Sequence, residues 1–332
     1  MLDRRGMCWE AVWRLVLATA AWGVSFPTAK GIMSLQAAHL PGRPDWFHAA
    51  LVLCARMTLA GVIWGGVIGR RATGICRSEI TQGALLGVWG AVGMILQTHA
   101  QQRIPASTSA FFTQFTSVFI PAWLAWTTRR WPSFRVVGAS GLVVFGCGVL
   151  SGVDWRGIGF GLGEWETVAA ALFFTGQILV LERESYRGNS MERVALVMFF
   201  VKALIFGGVV VCGQITLDES TGDFLDLFLD RGMVVMLGVL TLCSTVFGYA
   251  TMITWQPRVS PVQAGLIYAS EPVFATLWAL FLPGWYSLIS GISYANEVIG
   301  GAFLLGAAAI VAANVLIALQ SREDASPPGG AF

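Results

Sequence analysis

The chain contains 332 residues, of which 55% are hydrophobic and only 12% are charged, and its mean hydropathy is +0.67. Soluble domains carry about 25% charged residues, so this composition argues against a soluble enzyme and a disordered chain. The net charge of +2 gives no reason to expect nucleic acid as a partner, and the 14 Trp and 21 Phe residues are typical of a lipid-facing surface with aromatic belts.

Apolar runs predict how often the chain crosses a bilayer, because a spanning helix needs about 20 apolar residues. Ten such runs, which we number as predicted spans 1 to 10, cover residues 12–34, 46–69, 80–101, 105–127, 134–151, 159–182, 191–213, 232–255, 260–283 and 297–319. The sequence therefore predicts an all-α integral membrane protein with ten transmembrane helices and short loops. Residues 321–332 are rich in Ser, Pro and Gly and predict a disordered cytoplasmic tail.

The distribution of Lys and Arg predicts the orientation in the membrane. With the N-terminus inside, fourteen of the 21 basic residues lie on the inner side, in loops or at the inner ends of spans, four lie on the outer side and three lie deeper within spans. Positive residues accumulate on the cytoplasmic side of membrane proteins. We therefore expect both termini to be cytoplasmic in a multi-pass protein of the cell (inner) membrane.

The two halves of the chain align with each other. When span 4 is laid on span 9 at a constant offset, Gln114 and Ser117 fall on Tyr268 and Glu271, and both pairs lie on one helical face. With small changes of offset, Arg56 of span 2 falls on Lys202 of span 7, and residues 136–138 fall on residues 298–300. Five spans are an odd number, so the second copy enters from the opposite side. The prediction is two inverted five-helix repeats, residues 1–151 and 152–320, an arrangement found in secondary transporters.

Ionisable residues within spans are candidate functional residues because each costs at least a few kcal/mol in the bilayer. Glu271 lies in span 9 directly before Pro272, which removes a backbone donor and kinks the helix. Its carboxyl is a candidate site for a coupling proton or cation. Arg56 and Lys202 suit an anionic or zwitterionic substrate. The alternative is that these cations reach toward the membrane surface or form a permanent ion pair with Glu271.

Polar and aromatic residues complete the candidate substrate site. Trp22 lies near Ser25 and Pro27 in span 1, which suggests a broken helix that faces a cavity, and its indole can stack on a planar substrate. Gln114 and Tyr268 lie on the two faces that the repeat aligns, and Gln97 is a further polar residue in span 3. The predicted substrate-binding residues are Trp22, Arg56, Gln97, Gln114, Lys202, Tyr268 and Glu271.

The sequence lacks the motifs of several other classes. No GxxxxGK[ST], HExxH or GxSxG segment occurs, and the three His residues do not cluster in the sequence. We therefore expect no catalytic residue, no bound metal and no cofactor.

Several short segments, in order, resemble the EamA type of the drug/metabolite transporter superfamily over essentially the whole chain. They are Ala21 to Phe26 with Lys30, Arg56, Gln97-Thr98, Thr108 to Phe112 with Pro121, Glu271 to Phe274, and Glu297 to Gly301. The resemblance implies a carrier of small metabolites, often an exporter, with a central site between its halves.

The expected function is secondary active transport of small polar metabolites, such as amino acids or nucleosides, by alternating access. The expected partners are a small-molecule substrate, the lipid bilayer and a coupling proton or cation, and the protein is a monomer or a homodimer. Two alternatives stay open. One is a membrane scaffold or sensor that transports nothing. The other is an intramembrane enzyme that modifies a lipid with Glu164, Glu166 and Glu297.

Overall fold

A computed structural model describes residues 4–104, 106–150, 161–217, 224–298 and 300–324. These residues form α-helices with short 3-10 turns and one π-helical segment, and they contain no β-strand. The helices are α1 (Arg4–Gly23), α2 (Ser25–His39), α3 (Asp45–Ile68), α4 (Arg77–Ala100), α5 (Ala106–Thr113), α6 (Thr116–Thr128), α7 (Phe134–Leu150), α8 (Leu162–Leu181), α9 (Met191–Thr216), α10 (Phe224–Leu229), α11 (Arg231–Val239), α12 (Gly248–Trp255), α13 (Pro261–Tyr268), α14 (Glu271–Ala279), α15 (Leu282–Ser290) and α16 (Gly301–Asp324). The all-helical fold predicted from the sequence is confirmed.

Five helical segments are long and apolar enough to cross a membrane. They are Asp45–Ala72, Arg77–Ala100, Leu162–Leu181, Met191–Thr216 and Arg231–Arg258. A sixth candidate is the pair Pro261–Ala279 and Leu282–Ser290, which bends by 50° at its break. Apolar side chains point outward from these helices and from α16, and Leu204, Ile215 and Leu304 are 74%, 78% and 70% exposed. Such an apolar exterior indicates a membrane protein.

Three of the predicted spans are divided into two helices each. Span 1 breaks at Val24 between α1 and α2, span 4 breaks at Gln114 and Phe115, and span 9 breaks at Ala269 and Ser270. The last break comes directly before Glu271 and Pro272, where a proline ring ends the ladder of backbone hydrogen bonds. In addition, residues Leu240–Phe247 between α11 and α12 form a π-helix, a local irregularity that is frequent at functional sites.

Small residues let the helices of the core approach closely. Helix α4 packs against both α8 and α9, and α3 packs against α9. A Cβ atom on Gly83 would lie 2.6 Å from the Cβ of Val197, so only glycine fits at this crossing of α4 and α9. Gly61 of α3 faces the ring of Phe200 in α9. Gly61 and Gly83 therefore serve helix packing inside the molecule.

The C-terminal end differs from the sequence prediction. Helix α16 continues through Ser321, where the predicted tail begins, to Asp324. Residues 325–332 of the predicted disordered tail lie outside the described residues.

Candidate functional site

A narrow cavity of about 90 Å³ lies where the broken helices meet. This volume holds several water molecules. Helices α1 to α6 contribute to its wall together with α8, α12, α13 and α14, so residues from both halves of the chain surround it. The lining residues are Trp22, Ser25, Arg56, Met94, Gln97, Thr113, Gln114, Thr116, Phe174, Gln177, Ile178, Tyr249, Met252, Tyr268 and Glu271.

The structure brings six of the seven predicted site residues together in this wall: Trp22, Arg56, Gln97, Gln114, Tyr268 and Glu271. Four of them sit at helix ends or breaks. Trp22 lies at the end of α1, Gln114 in the break between α5 and α6, Tyr268 at the end of α13, and Glu271 at the start of α14. Helix breaks leave backbone groups free of the regular hydrogen-bond ladder, which allows several chain segments to converge on one small volume.

Arg56 is a buried cation that faces the cavity, and within the described residues no carboxylate lies within ion-pair distance of it. Its side chain is 6% exposed, and its Nε donates to the Oγ1 of Thr245 in the π-helix. Glu271 accepts a long hydrogen bond of 3.5 Å from the Nε2 of Gln114. The structure describes Arg56, Lys202 and Glu271, and no ion pair joins the carboxylate to either cation. The permanent ion pair considered from the sequence is therefore absent from these three residues.

Lys202 is the predicted site residue that the cavity wall does not include. Its side chain is fully buried, and its Nζ lies 4.1 Å from the ring centroid of Tyr249 and 3.7 Å from the Sδ of Met94. Both of these neighbours line the cavity. The ammonium group therefore sits directly behind the wall, where the ring face of Tyr249 provides a cation–π contact.

Aromatic rings form one side of the cavity. The Trp22 ring lies 5.1 Å from that of Tyr268 in an edge-to-face arrangement and 5.6 Å from that of Tyr249. The Nε1 of Trp22 is buried and has no hydrogen-bond partner in the described residues. Gly248 packs against this nitrogen so closely that a Cβ atom would overlap it.

Two hydrogen bonds connect residues of the cavity wall to each other or to a neighbouring segment. The Nε2 of Gln97 donates to the Oγ1 of Thr113 at 2.8 Å, which joins α4 to α5. The hydroxyl of Tyr268 donates to the Oε1 of Gln256 at 2.9 Å. Tyr268 shares the cavity with Glu271, but its hydrogen bond points toward the segment that follows α12.

Sequence reasoning missed the parts of the site that depend on packing. Tyr249 and Thr245 are not among the predicted site residues. A π-helix has no local sequence pattern, so the partner of Arg56 cannot be anticipated from the sequence. Thr245 lies one helical turn before Tyr249 in predicted span 8, and this spacing of two polar residues was the available signal.

The acidic residues of the enzyme alternative lie at separate positions outside this wall. Glu166 of α8 accepts from His99 at 2.9 Å, and Glu297 lies in the segment before α16, where its backbone N–H donates to the carbonyl of Ala279. Within the described ranges, no group of three His, Cys, Asp or Glu residues is placed to hold a metal ion.

Comparisons with known proteins reveal similarity at the level of fold. No family model and no curated protein matches the chain. In contrast, 29 chains of solved structures are similar. One of them, described as "Crystal structure of protein", is 17% identical, with a TM-score of 0.64, and the alignment covers 96% of this chain and 99% of that chain. The whole helical architecture is therefore shared with a solved structure.

Proposed function

We propose that the chain is a secondary active transporter of small polar metabolites, such as amino acids or nucleosides, of the EamA type. One observation carries the proposal: a cavity lined by both halves of the chain contains Arg56 and Glu271, and no ion pair joins them. Ionisable groups are kept within a membrane protein when they serve a pathway. The hydrogen bonds described for these two side chains are to the uncharged Thr245 and Gln114, so a substrate with a negative group and a positive or donor group can supply a charged partner for each.

The proposed architecture is ten spans in two inverted repeats, residues 1–151 and 152–320. Two observations support it. The breaks at Gln114 and Phe115 and at Ala269 and Ser270 overlap when span 4 is aligned with span 9. The aligned partners also pack on each other, since α3 contacts α9 and α7 contacts α16. Discontinuous helices that meet at the interface of two repeats form the substrate site in many transporters.

The proposed mechanism is alternating access around this cavity. Arg56 binds an anionic group, Trp22 and Tyr268 hold the apolar part of the substrate, and Glu271 binds a cationic or donor group or a coupling proton. The breaks in α1–α2, α5–α6 and α13–α14 let short half-helices tilt without unfolding a whole span. Movement of one repeat against the other then opens the cavity to one side of the membrane at a time, with export as the proposed direction.

We place the protein in the cell (inner) membrane with both termini in the cytoplasm, as a monomer or a homodimer. Labelling of single cysteines from each side of intact cells tests this orientation. Cysteines at the exposed positions Arg70 and Arg183 react from the inside, and a cysteine at the exposed Pro41, in the connection between α2 and α3, reacts from the outside.

Uptake into proteoliposomes tests the function. The purified protein is first heated with amino acids, nucleosides, sugars, polyamines and organic acids, because a ligand of the folded state raises the melting temperature. The hits are then offered as labelled solutes to loaded liposomes. Saturable exchange that R56Q abolishes supports the proposal. Ligand binding without solute movement favours a sensor, and chemical conversion of a labelled lipid favours an enzyme.

A further inference from the structure

A chain of hydrogen bonds leads from the cavity wall to one end of the helix bundle. The hydroxyl of Tyr268 donates to the Oε1 of Gln256, and the Nε2 of Gln256 donates to the Oε1 of Glu182 at 3.0 Å. Tyr268 lines the cavity, Gln256 is fully buried, and Glu182 is partly exposed at the end of α8, followed by exposed residues at 183–185. The three side chains therefore connect the cavity to the solvent side of the protein, which the basic residues predict to be cytoplasmic.

The orientation of the Gln256 amide is fixed by its partners. Its Nε2 donates to the backbone carbonyl of Ile178 at 3.2 Å and to the carboxyl of Glu182. A carbonyl oxygen only accepts hydrogen bonds. If the amide were flipped, its oxygen would face the carbonyl oxygen of Ile178, and two acceptors would lie against each other. The Oε1 must consequently face Tyr268, and the tyrosine proton points away from the cavity.

We propose that Glu182 is a proton-binding site that is coupled to the cavity through Gln256 and Tyr268. When Glu182 is ionised, its charge strengthens the hydrogen bond that the Gln256 amide donates to it. The amide is then fixed in position, and its oxygen accepts the hydrogen bond from the hydroxyl of Tyr268. When Glu182 takes up a proton, a neutral hydrogen bond replaces a charge-assisted one, which is about half as strong. The Tyr268 hydroxyl is then freer to turn into the cavity. The consequence for transport rests on the proposed function, whereas the proton site itself does not.

No cation compensates the Glu182 carboxylate in the described structure. Helix α8 packs against α4, α5, α6 and α13. Helices α5 and α6 carry no titratable residue, and α13 carries only Tyr268. The titratable groups of α4 are exposed or paired elsewhere, with Arg77 at the surface, Glu79 bonded to the backbone of Cys76 and Ser190, and His99 bonded to Glu166.

The cations near Gln256 are also engaged. The guanidinium groups of Arg14 and Arg258 lie 4.5 Å and 4.0 Å from the ring centroid of Trp255, and Arg14 is paired with Glu10. Arg183, the next residue after Glu182, is exposed. Glu182 lies beyond the end of the apolar helix Leu162–Leu181, and burial raises the pKa of its carboxyl to about 8, although the bond from Gln256 offsets part of the rise.

Infrared difference spectroscopy of the purified full chain, without substrate, tests the proton site. The pH is raised through 8, and the carboxyl band that E182Q removes is assigned to Glu182. We expect this band to disappear with a midpoint well above that of an ordinary glutamate, about 4.3. A band of Glu182 that titrates at the ordinary value would overturn the proposal.

Coupling to the cavity is tested with Y268F, which removes one hydrogen-bond donor from the chain. The Gln256 amide then donates less strongly to the carboxylate, so the Glu182 midpoint should move upward. Y286F is the matched control, because Tyr286 is fully buried and its hydroxyl bonds to Thr28 in another part of the fold. Equal midpoints in the two variants would overturn the coupling. If Y268F does not fold, Q256L serves as the second variant, with an upward midpoint shift as the expected result and an unchanged midpoint as the contradicting one.

These measurements need no transport, so they separate the two proposals. A Glu182 titration that responds to Y268F in a protein that moves no solute supports the coupled proton site and counts against the transporter. If the protein transports a solute and Glu182 titrates at the ordinary value, the transporter is supported and the coupled proton site is contradicted.

Discussion

Arg56 and Lys202 are aligned by the predicted repeat, yet they have different surroundings. Both are buried cations on long apolar helices that pack against each other, α3 and α9. Arg56 lines the cavity and is bonded to a hydroxyl in the π-helix. Lys202 is hidden behind Tyr249, against the ring and a thioether. The two halves of the molecule thus present their aligned cations unequally to the cavity.

The difference between Arg56 and Lys202 has a mechanistic consequence if the protein is an inverted-repeat transporter. If the halves exchange conformations during the cycle, the half that now presents its cation will hide it, and the other half will present its own. Lys202 would then enter the wall in the opposite state. The comparison therefore predicts that substitutions of Arg56 and Lys202 affect different steps.

The largest expected effect comes from R56Q. Hydrogen bonds to charged groups contribute about 1.5–3 kcal/mol, which corresponds to roughly tenfold to hundredfold weaker ligand binding. Calorimetry with the ligand from the thermal panel measures this loss. R43Q is the matched control, because Arg43 is 9% exposed and is bonded to Gln214 away from the cavity. An equal loss of affinity in both variants would show that Arg56 does not contact the ligand.

A loss of stability is expected from G90A, which tests the packing around Lys202. A Cβ atom on Gly90 would lie 2.6 Å from the Nζ and the Cε of Lys202 and would overlap the Oε1 of Gln177. Overpacking costs about 1–3 kcal/mol, and because these atoms are the ends of flexible side chains that can shift, we expect the lower end of this range and a slightly lower apparent melting temperature. G66A in α3 is the control, since nothing lies within 4 Å of its added Cβ and alanine favours a helix. Equal melting temperatures of G90A and G66A would mean that the space around Lys202 accommodates an added methyl group without loss of stability.

An effect smaller than that of R56Q is expected from E271Q. Glutamine keeps the shape of the side chain and its contact with Gln114 but cannot bind and release a proton. We expect transport to fall about tenfold, a typical contribution of roughly 1.4 kcal/mol, and its dependence on pH to flatten. E166Q is the control, because that carboxyl is bonded to His99 outside the cavity wall. Unchanged pH dependence in E271Q would remove Glu271 from the coupling step.

The sequence predicted the composition of the cavity better than its arrangement. Charged residues are expensive in apolar helices, so Arg56 and Glu271 stood out, and Pro272 marked the nearby helix break. The position of Lys202 behind Tyr249 depends on how α9 packs against α4 and α12, which no local pattern encodes.

The polar connection to Glu182 was equally hidden from the sequence. Glu182 is the last residue of predicted span 6, and Gln256 directly follows predicted span 8, so neither position marks the residue as part of the site. The helical class followed directly from composition, because long apolar runs have few alternatives in a bilayer.

The smallest expected effect comes from K202M, which tests whether Arg56 and Lys202 act at different steps. Methionine keeps the apolar part of the side chain next to Met94 and Tyr249 and removes a buried amine that has no carboxylate partner in the described residues. Burying an amine without a compensating partner costs free energy that an apolar side chain of similar volume avoids, so the apparent stability should rise by about 1 kcal/mol. Because Lys202 does not line the cavity, ligand affinity should stay within about twofold, while turnover in liposomes falls if Lys202 is needed in the opposite state.

K30M, which alters a half-buried lysine of α2, controls for the loss of a positive charge. A loss of affinity in K202M as large as that in R56Q would mean that both cations reach the ligand together, and the asymmetry between the halves would not describe the binding state.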